Sequence, residues 1–205
     1  MDWDSLLTLG LALAAVGGVV VALITRRKAG PEKVEEMRGH METIGIGSFV
    51  ETADGGLAQI GHSWSEKHMG TVRLSGASID AINIVGVSSQ YGTQYYLDFL
   101  VPVMAFGSVP EKRRTRLVRK KTPSLWGRTT DVEWKGDESL SRRLNFDYRL
   151  RDSLKKLDES LLRSGVNIYS ERKRGWARVR TKHFLPTSEA FEAVDTVCRH
   201  IRAEW

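Results

Sequence analysis

Leu6 to Ile24 is a run of nineteen residues without a charge, LLTLGLALAAVGGVVVALI. A helix of that length is about 28 Å long, close to the hydrocarbon thickness of a bilayer. Its one side-chain hydroxyl, on Thr8, can bond back to the helix's own carbonyls. The run has no polar face, so the expectation is a membrane span and not a core helix. Asp2 and Asp4 precede it, and Arg26, Arg27 and Lys28 follow it. A cleaved signal peptide carries its basic charge before the apolar stretch. Residues 1–28 are therefore expected to be an uncleaved anchor, spanning at about 6–24. The basic flank would keep the C-terminal side in the cytoplasm and a short N-terminal tail outside. Gly10, Ala14, Gly18 and Ala22 recur every four residues, a small-residue stripe on which another membrane helix would pack.

Charge divides the remaining chain. Residues 29–105 carry 4 basic and 9 acidic groups, and residues 106–205 carry 24 and 14, so these segments hold −5 and +10. Two faces or two subdomains of opposite sign are the expectation. The single cysteine, Cys198, excludes an internal disulfide framework and leaves too few thiols for a zinc ribbon or an iron–sulfur cluster.

After Ala29-Gly30-Pro31 the spacing Val34, Met37, Met41 predicts a brief helix within a juxtamembrane tether over 29–42. From Thr43 to Ala105 the period changes to two, with glycine-rich breaks such as Asp54-Gly55-Gly56. This predicts a mostly antiparallel sheet, with Gln94–Ala105 as a central strand and Pro102 paired on one edge only. Arg113–Lys121 and Thr130–Lys135 read as two further strands. Leu140 and Leu144, then Leu150, Leu154, Leu157 and Leu161, mark a helix broken near Asn145, with Asn145 or Asp147 as cap. Val166–Arg172 and Trp176–Lys182 read as a hairpin, with Ala177, Val179 and Thr181 facing in and Trp176, Arg178, Arg180 and Lys182 facing out. Thr187 or Ser188 opens a last helix with the stripe Phe191, Val194, Cys198, Ile201, Trp205. The expected fold class is thus α+β. It comprises a single N-terminal transmembrane helix, then a soluble domain over 43–205, divisible into an acidic β-rich part (43–107) and a basic helix–hairpin–helix part (108–205).

Catalytic signatures are scarce. No nucleophile elbow, phosphate-binding loop, H-E-x-x-H or C-x-x-C occurs. His62, Glu66 and His68 have donor-rich spacing, but a turn with such residues is ordinarily just solvated. Cys198 lies on an apolar stripe and reads as core; Asp131 and Glu133 share a strand face and read as surface charges. Neither a cofactor nor a metal is expected.

The basic segments carry more information. Lys112, Arg113, Arg114, Arg116, Arg119, Lys120 and Lys121 crowd into ten residues, and the hairpin adds Arg172, Lys173, Arg174, Arg178, Arg180 and Lys182 around Trp176. Such a surface can meet a partner protein, anionic lipid headgroups or nucleic acid, or pair with the acidic first half. The expected role is a non-catalytic, membrane-anchored subunit or scaffold of a membrane complex, presenting its cytoplasmic domain to other protein subunits. The alternative is a tethered binder of anionic lipid or nucleic acid through 112–121 and 172–182, with nucleic acid the weaker of the two.

Overall fold

The computed structural model describes residues 30–51, 56–61, 63, 65–104, 114–122, 128–157 and 165–205. A first helix, α1 (residues 30–43), buries Val34, Met37 and Met41 against the sheet core. This is the spacing read from the sequence, but the helix belongs to the packed domain and is more than a tether. The strands are β1 (Gly47–Val50), β2 (Glu66–Ser75), β3 (Ala81–Ser89), β4 (Gly92–Pro102), β5 (Arg114–Thr122), β6 (Arg128–Lys135), β7 (Asn167–Glu171) and β8 (Trp176–Lys182). They form one eight-stranded sheet in the order β1-β2-β3-β4-β8-β7-β5-β6, with every pairing antiparallel.

Three helices follow the strands. Asp137 caps α2 (Glu138–Phe146) by accepting from the Leu140 N–H, and Asp147 caps α3 (Tyr148–Lys156) by accepting from the Leu150 N–H. Thr187 caps α4 (Ser188–Glu204) through the Ala190 N–H. Each cap satisfies a backbone donor that the first turn leaves without a partner. Asn145 does something else. Its side chain accepts from the Trp134 N–H at 2.8 Å and donates to the Trp134 carbonyl at 2.9 Å, satisfying backbone groups of the edge strand β6.

Register sorts the side chains into cross-strand rows. Val72, Ile82, Phe99, Val179 and Ile168 are successive partners and form the apolar row beneath the helices. The next row along the strands belongs to the opposite face. It reads Thr71, Asn83, Asp98, Arg180, Asn167, Arg116, Lys135 across seven strands. One face of the sheet is thus core, and the other is strongly polar.

One expectation of the fold class is corrected. Among the described residues no helix is long and apolar enough to cross a membrane. The longest, α4, has 17 residues and carries Glu189, Glu192, Asp195, Arg199, Arg202 and Glu204, so it has one apolar stripe and a charged back. Residues 6–24 with Gly10, Ala14, Gly18 and Ala22, and the flank Arg26, Arg27 and Lys28, lie outside the described residues. The sheet also runs across the possible subdivision at 107/108. β8 pairs with β4 along Tyr96–Pro102 and so joins β5–β8 to the strands of the first half in one sheet. Pro102 pairs only toward β8, as a residue without an N–H allows.

Candidate functional site

The polar face gathers around Asp98, a carboxylate with 0% exposure in the middle of β4. Its neighbours in sequence are Leu97 and Phe99, so only cross-strand partners can compensate its charge. Arg180, directly opposite on β8, donates from Nε to Oδ1 and from Nη2 to Oδ2, both at 2.7 Å. Arg178 adds Nη1 to Oδ2 at 3.2 Å and reaches Glu171 with Nε at 3.2 Å. The second side of the Arg180 fork is taken by Glu66 of β2, at 2.5 and 3.0 Å. The side chains of Arg178, Arg180 and Glu66 are only 9%, 12% and 12% exposed.

This corrects the outward reading of the hairpin. Period two places Ala177, Val179 and Thr181 on one side of β8, all buried, and on the other side Arg178 is buried and Arg180 largely covered, while Trp176 is half-buried and only Lys182 is exposed. The cover is a short 3₁₀ turn, Gly56–Gln59, whose Leu57, together with Ile60, packs on Ala81, Leu100 and Trp176. Asn83 donates to the Leu57 carbonyl at 2.8 Å and Arg174 donates to the Gln59 carbonyl, which ties the segment down. Gly61, at φ 72°, lies against the Arg178 guanidinium, where any Cβ would collide with it.

Electrostatically the cluster is closed. Burial disfavours the Arg180 charge, yet the bonds to Asp98 and Glu66 outweigh it and hold the guanidinium above its ordinary value. Burial likewise pushes the Glu66 carboxyl up, but the hydrogen bonds and charge of Arg180, with Arg178 behind it, leave it below the ordinary carboxylate range. Both oxygens of Asp98 and of Glu66 accept from guanidinium groups. The arrangement locks ionised side chains in place and offers no carboxyl poised for proton transfer.

A pH prediction follows from Glu66. Because its folded pKa is depressed, its contribution is complete above the unfolded value of about 4.3 and is lost as pH falls through the folded value. Glu66→Gln should be less stable than wild type at neutral pH, and the gap should close below about pH 4. Urea midpoints measured from pH 7 downwards test this, and a gap that persists or widens in acid contradicts it.

The basic residues singled out from the sequence part company here. Lys112, Arg113 and the side chain of Lys121 lie outside the described residues. Arg119 sits on the helix side of β5 opposite Val132, and exposed Lys120 pairs with Glu133 at 3.2 Å. Trp176 is half-buried under Ile60 and Leu57. Arg114, Arg116 and Lys182 stay exposed on the polar face and pair with no carboxylate among the described residues. Arg114 bonds the Asn167 amide oxygen and shares the Tyr169 ring with Arg178, the two guanidinium carbons lying 5.5 and 4.4 Å from its centroid.

The remaining candidates are engaged elsewhere. Asp131 bonds Arg151 and Lys155 of α3, and the Arg151 hydrogen bond lowers its pKa to about 2, whereas Glu133 pairs with Lys120 and Lys135. His62 lies outside the described residues, while Glu66 is held by Arg180 and His68 bonds Thr71 at 2.9 Å. Among the described residues no group of three His, Cys, Asp or Glu side chains could hold a metal ion. Cys198 is fully buried on α4, and burial raises its thiol well above the usual range. His200 bonds Asp147 at 2.8 Å and so ties α4 to the α2–α3 joint.

The fold and the site define an α+β domain whose single antiparallel sheet is covered by helices on one face and holds a buried arginine–carboxylate cluster on the other. In comparison with known proteins, no family model, no curated protein and no solved structure matches this chain.

Proposed function

We propose that the chain is a non-catalytic subunit or scaffold whose domain docks a partner protein through the outer part of the polar sheet face. The observation that carries this reading is the division of labour among the cations. Arg178 and Arg180 are consumed by the internal cluster, while Arg114, Arg116 and Lys182 remain exposed around it without carboxylate partners among the described residues. A hydrogen-bonded floor with exposed cations at its margin suits the selective pairing of a partner's acidic groups. The aromatic side chains favour a protein over nucleic acid. Tyr169 is shared by two guanidinium groups and Tyr96 lies under Arg180 at 5.6 Å, so both rings already hold cations of this chain in the place where a base would stack.

The test uses the full chain purified with its partners in mild detergent. The triple variant Arg114→Glu, Arg116→Glu, Lys182→Glu should keep the wild-type melting temperature, since all three side chains are exposed, and should lose stoichiometric partner chains. The wild type should bind neither anionic vesicles nor single-stranded oligonucleotides at physiological salt. Tight oligonucleotide binding with a steep salt dependence would overturn the reading.

A further inference from the structure

Helix α1 meets the segment that follows β8 through two histidines of unlike status. His40 of α1 donates from Nε2 to the Pro186 carbonyl at 2.8 Å. His183 is pinned by its backbone, whose N–H bonds the Tyr95 carbonyl of β4 at 2.9 Å. Its ring meets the Tyr95 ring edge-on, with centroids 6.4 Å apart. The same Tyr95 ring carries the Lys33 ammonium of α1, 4.9 Å from its centroid. His183 Nε2 is buried and has no hydrogen-bond partner among the described residues. A neutral imidazole can keep its proton on Nδ1 and leave Nε2 bare, but an imidazolium must place an N–H there. That donor would be unsolvated and in the field of the Lys33 ammonium, a doubly unfavourable arrangement.

We propose that His183 is an acid-operated latch for α1: a proton gained at Nε2 is solvated only when α1 lifts from the sheet, so acid favours the open form. The latch lies apart from the basic face and does not depend on its role. The part that moves is α1. His183 and Tyr95 are fixed by the ladder of the inner strands β4 and β8. In contrast, α1 is held by the stripe Val34, Met37 and Met41, by the His40 bond, and by a bond from Ser48 Oγ to the Arg38 carbonyl at 3.0 Å. An element held this way opens more readily than a strand paired on both sides. The groups acting on the His183 ring agree. Burial, then the Lys33 charge, hold it below the ordinary histidine value, and Glu36, on the next turn of α1, draws it up by less. His40 is not the trigger, because its Nε2 remains a donor to Pro186 in either protonation state. Opening uncovers Met37 and Met41, both at 0% exposure in the closed form. Because the open form holds the proton more tightly, the sign is fixed. Below about pH 6.5 each unit raises opening by up to about ten-fold, until the closed form is protonated too.

Hydrogen–deuterium exchange of the full chain from about pH 7 to about pH 5.5, corrected for intrinsic exchange rates, measures the opening. The opening equilibrium of α1 amides should rise about three-fold or more across that range, while α4 amides change by less than about two-fold. His183→Gln should abolish the rise, whereas His40→Gln should keep it. A second readout needs no variant: in NMR of the wild type the His183 ring carbons should titrate below about 6.5. If His183→Gln does not fold, this titration decides alone. An α1 response that is absent from the wild type, or unchanged in His183→Gln, overturns the proposal. A His183 ring that titrates at or above about 6.5 also overturns it. Equal loss of protection in α1 and α4 does the same, since acid would then be unfolding the whole domain.

Discussion

Replacing Asp98 by alanine should destabilise the domain by about 3–5 kcal/mol, the usual cost of leaving a buried charge without its partner. The effect is large because Asp98 neutralises two guanidinium groups that are themselves almost fully covered. For a domain of this size that corresponds to a fall in melting temperature of about 6–20 °C. The quadruple variant Glu66→Leu, Asp98→Leu, Arg178→Met, Arg180→Met should recover much of the loss, because an apolar set of similar volume leaves no member of the Arg180 pairs as a buried charge. Thermal and urea unfolding of the two variants test the point together. If Asp98→Ala melts within a degree or two of wild type, the cluster is not buried in solution. If the quadruple variant is the less stable of the two, the remaining carboxylate Glu171 depends on Arg178 more than the geometry implies.

Gly136→Ala should be the next most damaging change, at about 2–6 kcal/mol, combining an unfavourable backbone conformation with overpacking. Gly136 joins β6 to α2 at φ 139°, and a Cβ there would strike the Arg114 carbonyl and the backbone of Thr115. Backbone cannot swing aside as a side-chain end does, so the β5–β6 ladder or the start of α2 must shift. Gly76→Ala is the matched control. Its φ is 80°, but its Cβ would meet nothing within 4 Å, so only the conformational part of the cost remains. Comparable urea midpoints for the two variants would show that the contact with β5 is soft.

Much of the secondary structure was legible because local rules operate over a few residues. The stripe Phe191, Val194, Cys198, Ile201 is buried on α4 with Trp205 buried at its C-cap, and Val34, Met37 and Met41 are buried on α1. The chain break near Asn145 is present, with Asp147 as the cap that opens α3. Asn145 itself was the harder residue. Its bonds to Trp134 depend on helix α2 lying beside the edge strand, which no spacing in the sequence announces.

The outward reading of Arg178 and Arg180 differs from the structure for a definite reason. Alternation tells which residues share a face of β8, and Arg178 and Arg180 do share one. It cannot tell whether that face is covered. Coverage comes from Leu57 and Ile60, more than a hundred residues earlier in the chain, and compensation comes from Glu66 and Asp98. One local sign was available: Asp98 stands alone in Leu97-Asp98-Phe99-Leu100-Val101, and a carboxylate in such a run requires a cation across the ladder.

The sequence by itself determined the period of each element, the caps of its helices and the two faces of its strands, since these follow from backbone geometry and near-neighbour hydrogen bonding. Only the tertiary structure decided that β8 lies beside β4. That one pairing merges the acidic and basic halves into a single sheet and turns two arginines from surface charges into the buried counterions of Asp98. Strand partners distant in the chain are chosen by the total burial and charge compensation they achieve, which is a property of the assembled sheet and of no segment within it.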